Sequence, residues 1–428
     1  MSMEITLEDF RPMMERCSNC LACKWTPYEK IASNRFGRNC PSAGYYHFNT
    51  YSARGRFQLG QVLLDGRSDF TDTAAEAIHS CMACGACDIA CKITRYNLEP
   101  LDFNIALKER AVSLGKYYPA QKAAIDQLER EKTLLPGEKQ SDRTGWAKDL
   151  GLKDLTAQSA EYAFFAGCQY SYTPALQGQA RRYVKILQDA GVDLGYLGNA
   201  DMCCGGRAKQ MGFKDAFEKQ AAHNGNALKA MGVKTVVTPC ADCCHAFRRQ
   251  YAKLGIDVKV VHAVELLDEL LASGKLSFHR KVDLTVTYHD PCHLGRLGEA
   301  YTPWDGTEKK VLNQVHTWDP PRPRYAGTYG VYDAPRNLLK AIPGLRFVEM
   351  ERIKEYAWCC GAGGGCSVSN PEFSGATADE RVTEAQATGA EALVAACPWC
   401  VQNLRRAKDE DGRQMQVLDI VDLVARAL

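Results

Sequence analysis

The sequence predicts two copies of one α/β module behind a smaller, mainly helical, cysteine-rich domain. Three observations carry that reading. From Glu161 onward, short apolar runs alternate with amphipathic stretches, the pattern of strands and helices in a layered α/β structure. A spacing of five cysteines occurs twice in that part of the chain, and eight more cysteines crowd residues 1–100.

The chain has 428 residues, enough for two or three domains, with 46% hydrophobic and 24% charged residues. A net charge of +2 gives no general attraction to nucleic acid. No apolar run reaches the ~18 residues of a spanning helix. The opening Met1-Ser2-Met3-Glu4 lacks the basic and apolar regions of a signal peptide. The expected location is the cytoplasm, with membrane contact only peripheral, through a partner subunit. In a reducing compartment, twenty cysteines point to metal rather than to disulfides.

Residues 1–135 form the first expected domain. Cys17, Cys20 and Cys23 are followed by a long gap to Cys40-Pro41, and Cys81, Cys84, Cys87 and Cys91 follow the bacterial ferredoxin spacing. Such a triplet loop turns three sulfurs toward one cubane 4Fe–4S cluster, and the fourth comes from another segment. This assigns Cys17, Cys20, Cys23 and Cys91 to one cluster, and Cys81, Cys84, Cys87 and Cys40 to the other. Zinc also accepts four thiolates and stays open as an alternative, although its sites usually show two separated C-x-x-C knuckles. Residues 24–60 set six cations, Lys24, Lys30, Arg35, Arg38, Arg54 and Arg56, against Glu29 alone, with Trp25, Tyr28, Phe36, Tyr45, Tyr46, Phe48 and Tyr51 interleaved. That segment reads either as a solvated loop offsetting anionic clusters or as a docking face for an acidic partner or anionic ligand. Leu101 to about Leu135 reads as helix, between Pro100 and Pro136-Gly137. The polar stretch 136–160 reads as a linker.

The first module is expected over 161–280 and the second over 281–428. In the first, the strand Tyr162–Ala166 ends at Gly167-Cys168, and Thr173-Pro174 caps a helix ending at Gly191. A helix over about Asp215–Met231 then leads to the strand Thr235–Thr238, which delivers Cys240 and Cys243. The second copy runs from strand Leu284–Tyr288 into His289-Asp290-Pro291-Cys292-His293, and strand Ala392–Ala396 delivers Cys397 and Cys400. The tails Val260–Leu267 and Val417–Val424 also correspond. Between Cys204 and Cys240 lie 35 residues, and between Cys360 and Cys397 lie 36. Cys168 and Cys203 are separated by 34 residues, but Cys292 and Cys359 by 66, so the second copy carries an insertion, placed near 301–329. It holds Trp304, His316, Trp318 and Pro320-Pro321-Arg322-Pro323 and reads as a lid, a partner contact or an irregular surface excursion.

The single cysteine and the Cys-x-x-Cys of each module fall where apolar strands give way to helices, the edge at which open α/β sheets gather ligands. Helix N-termini there stabilise thiolates and anionic clusters. Five thiols exceed what a zinc ion or an ordinary cube takes, and adjacent cysteines fit one metal poorly, which suggests an irregular multi-iron cluster. One zinc or one cube with a spare thiol is the alternative. The glycines at 361 and 363–365 lack the strand and acidic residue of a dinucleotide fingerprint. Cys244 and Cys366 read as buried small residues. His289 and His293 read as donors to cluster sulfur, proton carriers or structural histidines.

The paired Cys-Cys-Gly patterns, with Tyr288–Arg296 and Tyr332-Asp333-Ala334-Pro335-Arg336, resemble the tandem cysteine-rich CCG domains. These occur in the D-type subunits of heterodisulfide reductases and in the iron–sulfur subunit of glycolate oxidase, behind a two-cluster ferredoxin domain. The Cys17–Trp25 opening is similar to the electron-transfer component of class II benzoyl-CoA reductase, in anaerobic metabolism. The resemblance implies one or two non-cubane 4Fe–4S clusters. Cys168, Cys203, Cys204, Cys240 and Cys243 would hold one, and Cys292, Cys359, Cys360, Cys397 and Cys400 the other. It implies an electron-transferring subunit of an oxidoreductase complex, working with a flavoprotein or ferredoxin, since the chain shows no flavin or nicotinamide site. Reduction of a disulfide or thiol substrate at the CCG clusters is the other expectation. No catalytic residue is assigned.

Overall fold

The computed structural model describes residues 6–92, 97–312, 315–409 and 411–428. Its sheets are built from β1 (Lys153–Asp154), β2 (Tyr162–Phe164), β3 (Leu194–Tyr196), β4 (Thr235–Thr238), β5 (Val260–His262), β6 (Leu284–His289), β7 (Thr307–Val311), β8 (Val315–Asp319), β9 (Leu345–Phe347), β10 (Ala392–Ala395) and β11 (Gln416–Asp419). Two of the sheets are parallel throughout: β1-β3-β2-β4-β5, and β11-β10-β6-β9. Matched strand for strand, β9-β6-β10-β11 repeats β3-β2-β4-β5, so the duplication seen in the cysteine spacing is also a duplication of topology. Central strands β4 and β10 are buried along their whole length, which explains their unbroken apolar or β-branched runs.

One continuous apolar core spans both sheets, and a second, around Phe57, Ile78, Phe103 and Leu107, lies inside the N-terminal helices. Among the described residues no helix is long and apolar enough to cross a membrane.

Three local features differ from the sequence expectation. The single helix read over Leu101–Leu135 is two helices, Pro100–Ser113 and Pro119–Glu131. Gly115 at φ +73° turns the chain, and Pro119 begins the second helix, where its missing N–H costs nothing. Residues 136–160 do not hang free: Trp146 is buried against Phe164, with ring centroids 5.4 Å apart, and β1 adds an edge strand to the first sheet. Arg56, counted above among the six cations of a solvated loop or docking face, is buried and donates to Ala77 O, Tyr51 O, Ser42 Oγ and Ser80 O. Within the stretch 301–329, β7 and β8 form an exposed antiparallel hairpin. Arg16 holds it at Glu308 (2.7 Å), beside the first cysteine loop.

Candidate metal centres

The eighteen cysteines singled out by spacing fall into four groups. Cys23 interacts with Cys17 and Cys20, and Cys91 comes to Cys23 and Cys17 from the end of the helix Ala86–Cys91. Cys40 lies with Cys81, Cys84 and Cys87 around one cavity, despite the long gap in sequence. In the first module Cys168 contacts Cys203, Cys204 contacts Cys203 and Cys243, and Cys243 contacts Cys240. The second module repeats the chain of contacts: Cys292 to Cys359, Cys360 to Cys359 and Cys400, and Cys400 to Cys397. These five also line a cavity of their own.

Cys168, Cys240, Cys292 and Cys397 follow the carboxyl ends of β2, β4, β6 and β10. Cys240 and Cys397 sit immediately before the short helices Ala241–His245 and Pro398–Leu404. The backbone N–H groups of Gly205 and Gly361 donate to Cys203 and Cys359 Sγ, each at 3.4 Å. At Gly167 a Cβ would stand 2.8 Å from Cys243 Sγ, so a larger residue there would crowd the thiol group. The electrostatics repeat as well. Contacts from Cys203 and Cys243 draw Cys204 well below the ordinary thiol range, and contacts from Cys359 and Cys400 do the same for Cys360.

Two contacts join the groups. Cys84 of the N-terminal domain touches Cys359 and packs beside Cys292, and Cys240 of the first module touches Cys397 of the second. The glycine-rich stretch makes the first possible. A Cβ on Gly363 would lie 2.3 Å from Met82 O, and one on Gly364 2.0 Å from Cys81 O. These glycines admit the backbone of the Cys81 loop rather than a nucleotide.

Buried cations accompany the thiols, and sequence reasoning missed them. Arg143 is fully buried, with Nη1 3.5 Å from Cys168 Sγ and Nε 2.9 Å from Asp201 Oδ1. Its Nη2 has no hydrogen-bond partner among the described residues. Arg296 donates to Cys84 O and Glu355 O, its guanidinium is close enough to Cys84, Cys292 and Cys359 to interact with their charges, and its Nη2 has no hydrogen-bond partner among the described residues. Lys108 Nζ donates to Cys81 O, Gln210 O and Gly364 O, and Arg56 lies near Cys40. Isolated buried cations are costly, whereas cations beside an anionic thiolate cluster offset its charge. The donor set, the cavities and these unpartnered N–H groups fit iron–sulfur clusters.

His289 and His293 are both buried at the second group. Arg381 Nε donates to His289 Nδ1 (3.1 Å), which puts the proton of a neutral ring on Nε2, beside Cys360 and Cys400. Arg381 is itself held by Glu384, which also binds Arg352. His293 Nδ1 lies 2.6 Å from Asp242 and 3.6 Å from Cys292 Sγ, and Arg207 holds the other Asp242 oxygen at 3.1 Å. The motifs at 288–296 and 332–336 meet each other: Arg336 grips Asp290 with two bonds, of 2.7 and 2.9 Å. Cys244 and Cys366 are buried outside the four groups, and burial pushes each thiol up to about 12.

Comparison with known proteins agrees with this arrangement. Residues 162–248 and 323–405 match the cysteine-rich domain CCG, and residues 13–94 match a 4Fe-4S dicluster domain, which together imply iron–sulfur clusters. The chain is 32% identical to the D-type subunit of the dihydromethanophenazine:CoB–CoM heterodisulfide reductase of Methanosarcina mazei, over 82% of this chain and 78% of that protein. Its counterpart in Methanosarcina acetivorans is 30% identical over 97% of this chain and 94% of that protein. The EtfAB:quinone oxidoreductase of Syntrophomonas wolfei is 27% identical over 83% of this chain, which spans only 47% of that longer protein. A crystal structure of a hypothetical protein from Helicobacter pylori shares the fold, with a TM-score of 0.54, 12% identity, and coverage of 88% of this chain and 67% of that one.

Proposed function

The chain belongs to the family of heterodisulfide reductase D-type iron–sulfur subunits, and from that premise we propose that it is an electron relay with a fixed order of stations. Bound clusters supply one-electron redox chemistry: a cubane at Cys17, Cys20, Cys23 and Cys91, a second at Cys40, Cys81, Cys84 and Cys87, and a non-cubane cluster at each five-cysteine group. The observation that carries the order is the pair of inter-group contacts, Cys84 with Cys359 and Cys240 with Cys397. They set the second module's thiols between the N-terminal domain and the first module's thiols. Arg296 bridges the first of these junctions. The partner is a flavoprotein or ferredoxin within a multi-subunit complex. Iron and acid-labile sulfide assays on anaerobically purified protein test the reading. Fewer than about eight irons per chain would sink even the two-cubane core.

One observation favours a second role, reduction of a disulfide or thiol at the second five-cysteine group. Its cavity is also lined by Arg207, Asp242 and His293, and His293 in turn lines a cleft between the N-terminal helices and the first module. That role predicts substrate-dependent EPR changes at these thiols; a pure relay predicts none.

A further inference from the structure

Cys20 is the one exposed thiol of the twenty, so the first cysteine group comes closest to solvent there. The surface on either side of it is unusual. Trp25 is 52% exposed, Tyr28 85% and Phe48 66%. Lys24 Nζ binds Asn49 Oδ1 at 2.9 Å, which draws the segment carrying Phe48 to the cysteine loop, and a bridge pairs Trp25 with Arg38. On the other side the hairpin β7–β8, anchored by Arg16 next to Cys17, leaves Val311 and Val315 exposed and Leu312 87% exposed. Among the described residues, most of the exposed large apolar side chains therefore lie on two segments tied to one thiol group. The first segment is net basic, with Lys30, Arg35 and Arg38 against Glu29, and the hairpin adds exposed Lys309 and Lys310 beside Glu308 and Asp319.

Apolar anchors beside a net basic segment and a pair of exposed lysines, around the exposed end of a redox chain, have the makeup of a transient electron-transfer interface. The basic excess of the first segment selects an acidic occupant and speeds its encounter. We propose that this face docks an acidic protein electron carrier that exchanges single electrons with the Cys17–Cys23 group. The inference rests on the relay reading above and adds to it the place and charge of the partner. One electron leaves the reduced carrier and one enters the relay, with no bond made or broken.

The test uses the anaerobic holoprotein, a reduced acidic two-cluster ferredoxin as probe, and methyl viologen radical as a small reductant that needs no docking face. Two independent charge-reversal variants, Lys30→Glu/Arg35→Glu and Lys309→Glu/Lys310→Glu, each change one of the two segments. Each is expected to lower the second-order rate constant with ferredoxin about tenfold at low ionic strength and to flatten its salt dependence. Viologen rates and iron content should match the unmodified protein. Ferredoxin rates within about twofold of the unmodified protein in both variants, with iron intact, overturn the docking face and leave the relay standing. Flotation with phosphatidylglycerol vesicles, lost in the variants while ferredoxin rates stay unchanged, makes this a membrane face and also overturns the proposal. A chain that binds no iron at Cys17–Cys23 refutes the relay itself.

Discussion

Arg143→Gln removes a buried guanidinium whose Nη1 lies 3.5 Å from Cys168 Sγ, without changing the thiols. A full charge at that distance acts with ~5 kcal/mol at an effective dielectric of ~20. The Asp201 carboxylate, 2.9 Å from Arg143 Nε, opposes it. The net effect on an added electron is on the order of 1–2 kcal/mol, roughly 40–90 mV. Loss of the cation disfavours the reduced state, so the midpoint potential at the first five-cysteine group should fall by that amount. An EPR-monitored redox titration of the holoprotein measures it, and Arg182→Gln, in a surface ion pair with Asp422, is the control. Breaking the Arg143–Asp201 pair also costs ~3–5 kcal/mol of stability, because Asp201 is left buried and unpaired. The double variant Arg143→Gln/Asp201→Asn should recover much of that stability. A potential within ~20 mV of the unmodified protein in Arg143→Gln, with iron retained, refutes the electrostatic role of this residue.

Gly364→Ala forces a Cβ to within 2.0 Å of Cys81 O at φ +63°, and should destabilise the chain by several kcal/mol, on the order of 3 or more, read as a lower thermal midpoint. Cys244→Ala and Cys366→Ala should keep the full iron content, whereas Cys204→Ala should lose iron from the first module; metal analysis separates the two outcomes. Burial raises Asp419 to about 7, above the ~4 of an unfolded aspartate, so the folded state holds the proton more tightly. Stability from this group is therefore greatest below pH ~4 and is lost as pH rises toward ~7, by up to ~4 kcal/mol. Asp419→Asn should flatten the dependence of the thermal midpoint on pH between about 5 and 7.5, and an unchanged slope counts against the burial of the charge.

The repeat was legible because it is written twice: near-equal spacings from the Cys-Cys pair to the Cys-x-x-Cys and matching tails pointed to one duplicated module, and the strand order is duplicated with it. The partition of the eight N-terminal cysteines could be proposed because a triplet loop has short reach and must borrow its fourth sulfur. What stayed hidden was tertiary. Nothing in sequence marks Arg143 or Lys108 as buried cations, since Cys168 and Cys81 lie 25 and 27 residues from them, and Arg296, although close to Cys292 in sequence, meets Cys84 and Cys359 only in the fold. The stretch holding Arg143 looked like a linker because its apolar anchors, Trp146 and Leu155, are few and follow no period. The break at Gly115 and Pro119 was signalled by ordinary turn chemistry, but the longer apolar pattern masked it. Of the glycines at 363–365 the sequence said only that no dinucleotide fingerprint surrounds them, and the fold shows two of them against the backbone of Cys81 and Met82.

The order of the relay is tested most directly by rapid-freeze EPR after mixing the holoprotein with a substoichiometric reduced ferredoxin. The account predicts that signals at the two N-terminal groups rise first and those of the five-cysteine groups follow. It also predicts that Cys87→Ser, which disables the group touching Cys359, leaves the five-cysteine groups oxidised while Cys17–Cys23 still takes up electrons. Reduction of the five-cysteine groups at the unmodified rate in that variant would contradict it.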